Sequence, residues 1–266
     1  MRRIVRSIVP SRLRRAWRAA RYRRLLSRLA GPKLLQAFGA AYPSAQFIEI
    51  GSNAGDHHDH LRPLILSRQW RGLMVEPVPY VFDRLQSNYG DLDRVTLVNV
   101  AIADRDGKMP FYHLREAGDS DRDALPEWYD GLGSFSREAV LGHGRRIPDI
   151  ERLLVTIEVP CLTFASLCET HGVDEVDLLL LDTEGYDWEL LQTIDLDAVR
   201  PRLIIYEHYH LDSDDRAAAL ERLRGLGYEI LEEGFDTFCL DPVDDDLTKR
   251  FRRFRPAVAP VSVRDE

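Results

Sequence analysis

The sequence predicts an α/β fold with a mostly parallel, Rossmann-like sheet that is covered by helices on both faces. Short apolar stretches of strand length alternate with stretches of helical length from residue 47 to residue 240. One of them, 178–181, consists of four consecutive leucines, which is typical of a strand buried on both faces. A turn with two glycines, Gly51 and Gly55, follows the first strand, at the position where such sheets bind a nucleotide or a nucleoside.

The predicted elements follow one another in a regular order. The strands are expected at 47–50, 72–75, 95–100, 108–113, 153–159, 176–181, 203–206, 228–231 and 237–240. The helices are expected at 60–69, 80–88, 162–170, 188–194 and 214–226. The stretch 108–113 is predicted to extend a sheet by pairing with a neighbour, and the acidic, glycine-containing turn 232–236 makes the last two strands a hairpin.

The charge distribution predicts three parts: a basic, helical arm over 1–35, a main domain over 36–241 and a tail over 242–266. Residues 1–33 hold 12 of the 36 lysines and arginines and no acid, so the rest carries 24 basic against 44 acidic residues. An acidic body repels phosphates, and we therefore expect no nucleic-acid partner. The arm is either a contact for a membrane surface or a partner, or a basic helix packed on the body.

The expected location is the cytoplasm, with a peripheral membrane contact through the arm as the alternative. No stretch approaches the roughly 18 apolar residues of a membrane span, and no apolar segment typical of a secretory signal follows the basic N-terminus. The three cysteines have no disulfide or zinc spacing and are expected to be reduced thiols. Within the domain, 115–150 is an irregular insertion of the kind that often covers an active site.

Acidic residues at the glycine turn indicate the kind of ligand. The turn lacks GxGxxG, which a dinucleotide pyrophosphate favours, and Glu49 stands directly before it. Carboxylates repel a pyrophosphate but suit the sulfonium and ammonium groups of S-adenosylmethionine. The cofactor-binding candidates in this segment are Glu49, Gly51, Ser52, Asn53 and Gly55. A tight turn that binds nothing is the alternative.

Further candidates lie where other strands end. Glu76, followed by Pro77, ends the second strand and is expected to accept hydrogen bonds from ribose hydroxyls. Asp182 and Glu184 follow the buried strand, where they can accept a proton from a substrate or cap the next helix.

The end of the next strand carries Glu207, a candidate for contact with the substrate, and His208, which is either a general base or a structural histidine. No metal is predicted. His57 and His58 point apart on a strand or a helix, and only His57 and His60 could share a helical face as metal ligands. We expect these histidines to line the mouth of the cofactor site instead.

Four segments, taken in order, resemble the FkbM-type methyltransferases. They are FIEIGSNAGD at 47–56, VEPVP at 75–79, NVAIAD at 99–104 and LDTEGYD at 181–187, and the similarity covers about residues 45–240. The resemblance implies a class I methyltransferase fold with seven strands and a terminal antiparallel hairpin. It also implies methyl transfer from S-adenosylmethionine to a hydroxyl of a sugar, a polyketide or a related natural product.

The resemblance further implies roles for single residues. Glu49, Gly51, Asn53 and Gly55 would hold the methionine part, Glu76 the ribose, and Ala101 and Ile102 would border the adenine. Asp182 and Glu184 would face the methyl donor and the acceptor, with Ser134 and Phe135 of the insertion near the substrate.

The predicted function is therefore S-adenosylmethionine-dependent O-methylation of a small-molecule or glycoconjugate acceptor, such as a sugar, glycolipid or polyketide. The base would be His208 or Asp182. Two alternatives stay open: an oxidoreductase that uses a nicotinamide cofactor, and a non-catalytic scaffold tethered by the basic arm.

Overall fold

The computed structural model describes residues 29–56, 59–118, 122 and 125–254. Most of the basic arm, together with His57 and His58, lies outside these described residues. The strands, in chain order, are β1 (Gln46–Ile50), β2 (Arg71–Val75), β3 (Val95–Val98), β4 (Ala101–Ile102), β5 (Gly107–Leu114), β6 (Gly133–Ser134), β7 (Leu154–Leu162), β8 (Leu178–Leu181), β9 (Leu203–Glu207), β10 (Glu229–Glu233) and β11 (Asp236–Leu240).

Ten α-helices lie between and around these strands in the described part of the chain. They are α1 (Ala30–Ala41), α2 (Arg62–Ser67), α3 (Pro79–Tyr89), α4 (Arg137–Leu141), α5 (Ile150–Leu153), α6 (Phe164–His171), α7 (Asp187–Thr193), α8 (Leu196–Val199), α9 (Ser213–Gly225) and α10 (Asp246–Phe254). None of these helices combines the length and the apolarity that crossing a membrane requires.

The main sheet has seven strands in the order β10-β11-β9-β8-β1-β2-β3. Strands β1, β2, β3, β8 and β9 are parallel, while β11 runs antiparallel to both β9 and β10. The predicted mostly parallel sheet with a terminal antiparallel hairpin is thus confirmed.

Side chains of the central strands alternate between two cores, one on each face of the main sheet. Phe47 of β1 and Leu180 of β8 point into one core, and Ile48 and Leu179 point into the other. This alternation follows from the two-residue period of a strand. Because both faces are buried, the strand sequences are almost continuously apolar, which is why they could be located from the sequence.

A second, four-stranded sheet in the order β4-β7-β5-β6 stands beside the main one. Its centre is the antiparallel pair of β5 and β7, which runs from Gly107 opposite Cys161 to Leu114 opposite Leu154. The stretch predicted to extend a sheet, 108–113, therefore belongs to this separate sheet. Short β6 lies in the insertion and joins it to β5.

The terminal helices of the described chain pack against the domain. Helix α1 crosses the boundary predicted at residue 35, and its Phe38 is fully buried in the same core as Phe251 of α10. Backbone N–H groups of Ala30 and Gly31 each donate a hydrogen bond of 2.7 Å to the carboxylate of Glu233 on the hairpin. Both helices thus belong structurally to the domain, and α10 lies within the segment predicted as a tail.

The insertion has a small core of its own in its described part. Leu132, Val140 and Ile147 are buried there among other apolar side chains. Arg84 of α3 ties this region to the main domain through ion pairs with Asp130 and with Glu116, the latter at 2.7 Å. Gly131 of the insertion also lies against Asn53, so the insertion covers the edge of the main sheet at which β1 ends.

Candidate active site

A cleft of about 600 Å³, counting the space open to solvent, lies at the carboxyl ends of β1, β2 and β8. Ligands of open α/β sheets bind at this edge, because parallel strands end there together. Nine of the predicted site residues line it: Gly51, Asn53, Glu76, Pro77, Ala101, Ile102, Phe135, Asp182 and Glu184. Positions from four strands, β1, β2, β4 and β8, and from the insertion are therefore brought to one cavity.

Gly51 is required by the close approach of two chain segments. Its φ is +84°, and a Cβ there would lie 1.7 Å from the carbonyl oxygen of Asp182. Gly51 and Ser52 both donate a backbone hydrogen bond of 3.0 Å to the carbonyl of Val75. A side chain at Gly51 would push the ends of β1 and β8 apart, so this glycine shapes the floor of the cleft.

Gly55 packs against α3 and is not among the residues that line the cleft, and its part in holding the cofactor stays a prediction. A Cβ at Gly55 would lie 2.5 Å from the ring of Tyr89 and 2.7 Å from Leu85, both on α3. Ser52 also turns inward, and its hydroxyl donates to the carbonyl of Glu49 at 3.1 Å. These two residues shape the turn from behind, while Gly51 and Asn53 line the cavity.

Glu49 is a buried carboxylate next to the turn. Only 3% of the residue is exposed, and its Oε2 has no hydrogen-bond partner. Burial, followed by the negative charges of Asp59 and Asp182, holds the pKa of Glu49 well above its ordinary value. A positively charged group placed nearby would relieve both the repulsion and the missing contact.

Both oxygens of the Glu76 carboxyl group accept a hydrogen bond from the backbone. Asn53 N–H donates to Oε2 at 3.0 Å and Val78 N–H donates to Oε1 at 2.8 Å. Burial raises the pKa of Glu76 to about 7, although the two backbone hydrogen bonds favour the ionised form. Each oxygen keeps a lone pair, so the group can still accept hydrogen bonds from two hydroxyls of a ligand.

The segment after β8 is organised by Asp187, the last residue of the motif at 181–187 and not one of the predicted site residues. Its buried carboxylate accepts hydrogen bonds from the backbone and hydroxyl of Thr183, at 3.3 and 2.9 Å, and from Glu207 N–H at 3.3 Å. Burial raises the pKa of Asp187 to about 6. Asp187 thereby joins the turn after β8 to the end of β9.

The carboxylates around this turn crowd one another. Asp182 is exposed to the cleft rather than enclosed, yet its partial removal from bulk solvent and the negative charge of Glu184 hold its pKa well above the ordinary value. Burial and the charge of Asp182 raise the pKa of Glu207 to about 11. Such a cluster is costly without a cation, and it therefore favours a positively charged ligand over an anionic one.

The structure does not bring His208 to the cavity. Its Nδ1 lies 2.8 Å from the hydroxyl of Thr237, and burial and the nearby Arg216 lower its pKa to about 4. His210, two positions further on, lies instead beside the cavity wall. Its Nε2 is 3.0 Å from Glu184 Oε2 and 3.6 Å from Glu207 Oε2.

An aromatic wall closes the side of the cleft formed by the insertion. Phe135 packs edge-on against Phe111, with ring centroids 5.1 Å apart, and contacts Tyr186 at 4.8 Å. Ser134 is buried and accepts a hydrogen bond of 3.2 Å from Ser136 N–H. Of the two substrate candidates in the insertion, Phe135 thus faces the cavity and Ser134 supports the strand beside it.

Several residues around the cleft were not among the predicted site residues. Tyr186, Thr183 and Gly131 line it, and His143 and His210 lie beside Glu184. Their positions depend on the path of turns and of the insertion, which no local periodicity encodes. The one available signal was proximity in the chain, because Thr183 and Tyr186 belong to the motif that contains Asp182 and Glu184.

The strand order and the cleft at the carboxyl ends of the parallel strands define a class I methyltransferase fold. Residues 49–230 match the family described as the methyltransferase FkbM domain, and the chain belongs to this family. The resemblance expected from the sequence is confirmed.

Among curated proteins, the 2-O-methyltransferase NoeI of Sinorhizobium fredii is 29% identical over 149 residues, which cover 56% of this chain and 57% of NoeI. The chain thus spans little more than half the length of this relative. Among solved structures, a methyltransferase FkbM from Methylobacillus flagellatus aligns with a TM-score of 0.46 and 12% identity, over 74% of this chain and 44% of that one. Fibrillarin of Aeropyrum pernix, solved with natively bound S-adenosyl-L-methionine, aligns with a TM-score of 0.37 and 13% identity, over 74% of this chain and 66% of that one.

Proposed function

We propose that this chain is an S-adenosylmethionine-dependent O-methyltransferase whose acceptor is a hydroxyl of a sugar, glycolipid, polyketide or similar small molecule. The observation that carries the proposal is the charge of the cleft. Glu76 and Asp182 line the cleft, and Glu49 is buried next to its glycine turn. Burial raises the pKa of Glu49 and of Glu76, and neighbouring carboxylates add to the rise in the pKa of Glu49 and of Asp182. A cationic ligand that also carries a ribose satisfies these groups, whereas the pyrophosphate of a nicotinamide cofactor would be repelled.

The residues of the cleft fit S-adenosylmethionine from one end to the other. Gly51 and Asn53 border the end where the methionine part would be held, next to the orphaned oxygen of Glu49. Glu76 offers two acceptor oxygens for the ribose hydroxyls. Ala101 and Ile102 supply the apolar border that an adenine requires.

The chemistry requires few groups from the protein. When bound, S-adenosylmethionine supplies a methyl group on a sulfonium sulfur, which is already activated for transfer to an oxygen. The protein has to orient the acceptor and receive its proton. Asp182 is the proposed base, because it lines the cleft, is exposed to it, and has a raised pKa that makes its carboxylate more basic than that of an ordinary aspartate. His208, the other predicted base, is bonded to Thr237 outside the lining.

The aromatic wall supports an acceptor with a ring. Phe111, Phe135 and Tyr186 present apolar surface beside Glu184, so a cyclic acceptor could lie against the rings while its hydroxyl points to the carboxylates. The name of the relative NoeI, a 2-O-methyltransferase, favours oxygen as the methylated atom.

Calorimetric titration of S-adenosylhomocysteine into the full chain tests the proposal. We expect one binding site with a dissociation constant in the micromolar range. The variant Asp182→Asn should keep most of this binding and lose methylation of sugar acceptors. Absence of binding at micromolar concentrations, together with binding of NAD, would refute the proposal in favour of an oxidoreductase.

For the basic arm, contact with a membrane surface and packing on the acidic body both stay predictions. Flotation of the full chain with vesicles containing anionic lipid, compared with a chain that begins at residue 29, decides between them. The shortened chain keeps Ala30 and Gly31, whose N–H groups are bonded to Glu233, so the domain should stay folded. Equal flotation of the two chains would contradict the membrane contact and leave a cytoplasmic protein whose arm packs on its own body.

A further inference from the structure

We propose that His143, Glu184 and His210 bind one divalent transition-metal ion beside the cleft. Each offers one ligand atom, and the three atoms lie within 4.8 Å of one another. Two imidazoles and a carboxylate form a ligand set typical of zinc sites that keep one position open for water or substrate. The inference goes beyond methyl transfer and does not depend on it.

The distances suit a single ion. His210 Nε2 lies 3.0 Å from Glu184 Oε2, and His143 Nε2 lies 3.9 Å from the same oxygen. Zinc binds nitrogen and oxygen at about 2.0–2.2 Å, so two ligands of one tetrahedral ion lie roughly 3.4 Å apart. The two observed separations lie on either side of this value, and a small rotation of His143 would complete the set.

Unpartnered oxygens point to a missing cation. Glu184 Oε2 and Glu207 Oε2 are both buried and have no hydrogen-bond partner. The short approach of His210 to Glu184 lacks hydrogen-bond geometry, and His210 Nε2 is also 3.6 Å from Glu207 Oε2. Buried carboxylate oxygens without partners are costly. A metal ion bound to Glu184 and close to Glu207 would offset the cost of burying these two oxygens.

The backbone presents Glu184 to this position at an energetic cost. Glu184 has a φ of +52°, in the left-handed region that few residues other than glycine adopt, and Gly185 continues with a φ of +97°. A strained residue of this kind typically costs about 1–3 kcal/mol and is concentrated at functional sites. Asp187 stabilises the conformation through its three hydrogen bonds to Thr183 and Glu207.

The ligands come from three separate parts of the chain. His143 lies in the 3₁₀ turn Gly142–Arg145 of the insertion, packed against Trp128, with ring centroids 5.4 Å apart. Glu184 follows β8, and His210 follows β9. An ion bound here would connect the insertion to the main sheet. The coordination position that the protein leaves open would lie beside Glu184, which lines the cleft. That position is open to an acceptor hydroxyl, whose pKa a bound ion lowers.

Titration with Zn²⁺ tests the site directly. The full chain is stripped with a chelator, and Zn²⁺ affinity is measured by competition with a chromophoric chelator. We expect one ion per chain. The variants His210→Ala, His143→Ala and Glu184→Gln should each weaken binding at least about 100-fold, since removal of groups that only orient a ligand already costs 10–100-fold. His171→Ala removes a histidine from the end of α6 and is the matched control.

Circular dichroism has to show that the three variants are folded, so that a loss of Zn²⁺ affinity can be assigned to the missing ligand. Absence of Zn²⁺ binding would overturn the proposal, as would affinity that persists in the three variants, because the ion would then be held elsewhere. The two histidines and Glu184 would in that case form an ion pair through a protonated imidazole. Titration of S-adenosylhomocysteine into the metal-free chain distinguishes this failure from failure of the proposed function, since that binding does not require the ion.

Discussion

The ionisation of Glu76 should control the affinity of the cleft for the adenosyl group. Glu76 is held between two backbone N–H groups, and its pKa in the free protein is about 7. Its ionised carboxylate accepts hydrogen bonds from ribose hydroxyls more strongly than the neutral acid does. Raising the pH through 7 therefore increases the fraction of protein that binds well.

The magnitude follows from the pKa. About one tenth of Glu76 is ionised at pH 6 and about nine tenths at pH 8, so the dissociation constant should fall about tenfold between them, equivalent to roughly 1.4 kcal/mol. The variant Glu76→Gln should bind about 1–3 kcal/mol more weakly at pH 8, because its amide cannot accept from both backbone donors. Its affinity should also lose the pH dependence.

The assay is calorimetric titration with 5′-methylthioadenosine between pH 6 and pH 8. This probe carries the ribose and the adenine but no ammonium or carboxylate that would titrate in the same range. Glu169→Gln, on the exposed side of α6, is the matched control and should behave like the unchanged protein. A dissociation constant independent of pH in the unchanged protein, or the same pH dependence in Glu76→Gln, would refute the assigned role of Glu76.

The remaining predictions concern the scaffold of the cleft, measured as the free energy of unfolding in urea. Gly55→Ala should destabilise the protein by about 1–3 kcal/mol more than Gly172→Ala, because both glycines have a φ of +63° but only Gly55 packs against side chains of α3; equal losses would contradict the packing role. Asp187→Asn should lower the free energy of unfolding by about 1–3 kcal/mol, since one of the groups that donate to the Asp187 carboxylate loses its acceptor. The exposed Asp197→Asn is the control, and an equal effect of the two substitutions would contradict the role of Asp187. Glu233→Ala should cost roughly 0.5–2 kcal/mol through loss of the bonds to the first turn of α1, and an unchanged midpoint would show that the helix needs no such anchor.

Much of the fold could be predicted because its signals are local. The leucines of β8 form a strand buried on both faces, and the predicted ends of β1 and β2 agree with the structure to within a residue or two. Parallel strands bring their carboxyl ends to one edge. For that reason Glu76 and Asp182, far apart in the sequence, could be expected at the same cavity.

The remaining features depend on contacts between distant segments. Gly55 is a glycine because Tyr89 packs behind it, which its own neighbours in the sequence do not reveal. His208 and His210 both follow β9, and only the path of the turn decides that His208 faces Thr237 and His210 faces Glu184. The helix α10 has few apolar residues, so its packing against α1 could not be expected from composition.

The cleft is shared unequally between the two sheets, and this has an evolutionary consequence. Gly131, Gly133 and Phe135 form a first wall from a single short stretch of chain, whereas the rest of the lining is a second wall assembled from the ends of β1, β2 and β8 and from β4, β5 and the turn at Tyr186. Recombination within one gene segment could therefore replace the first wall while the second is inherited intact. Proteins of this architecture can therefore change the ligand that the first wall contacts while they keep the second wall. Sequence divergence among relatives should concentrate around residues 125–153.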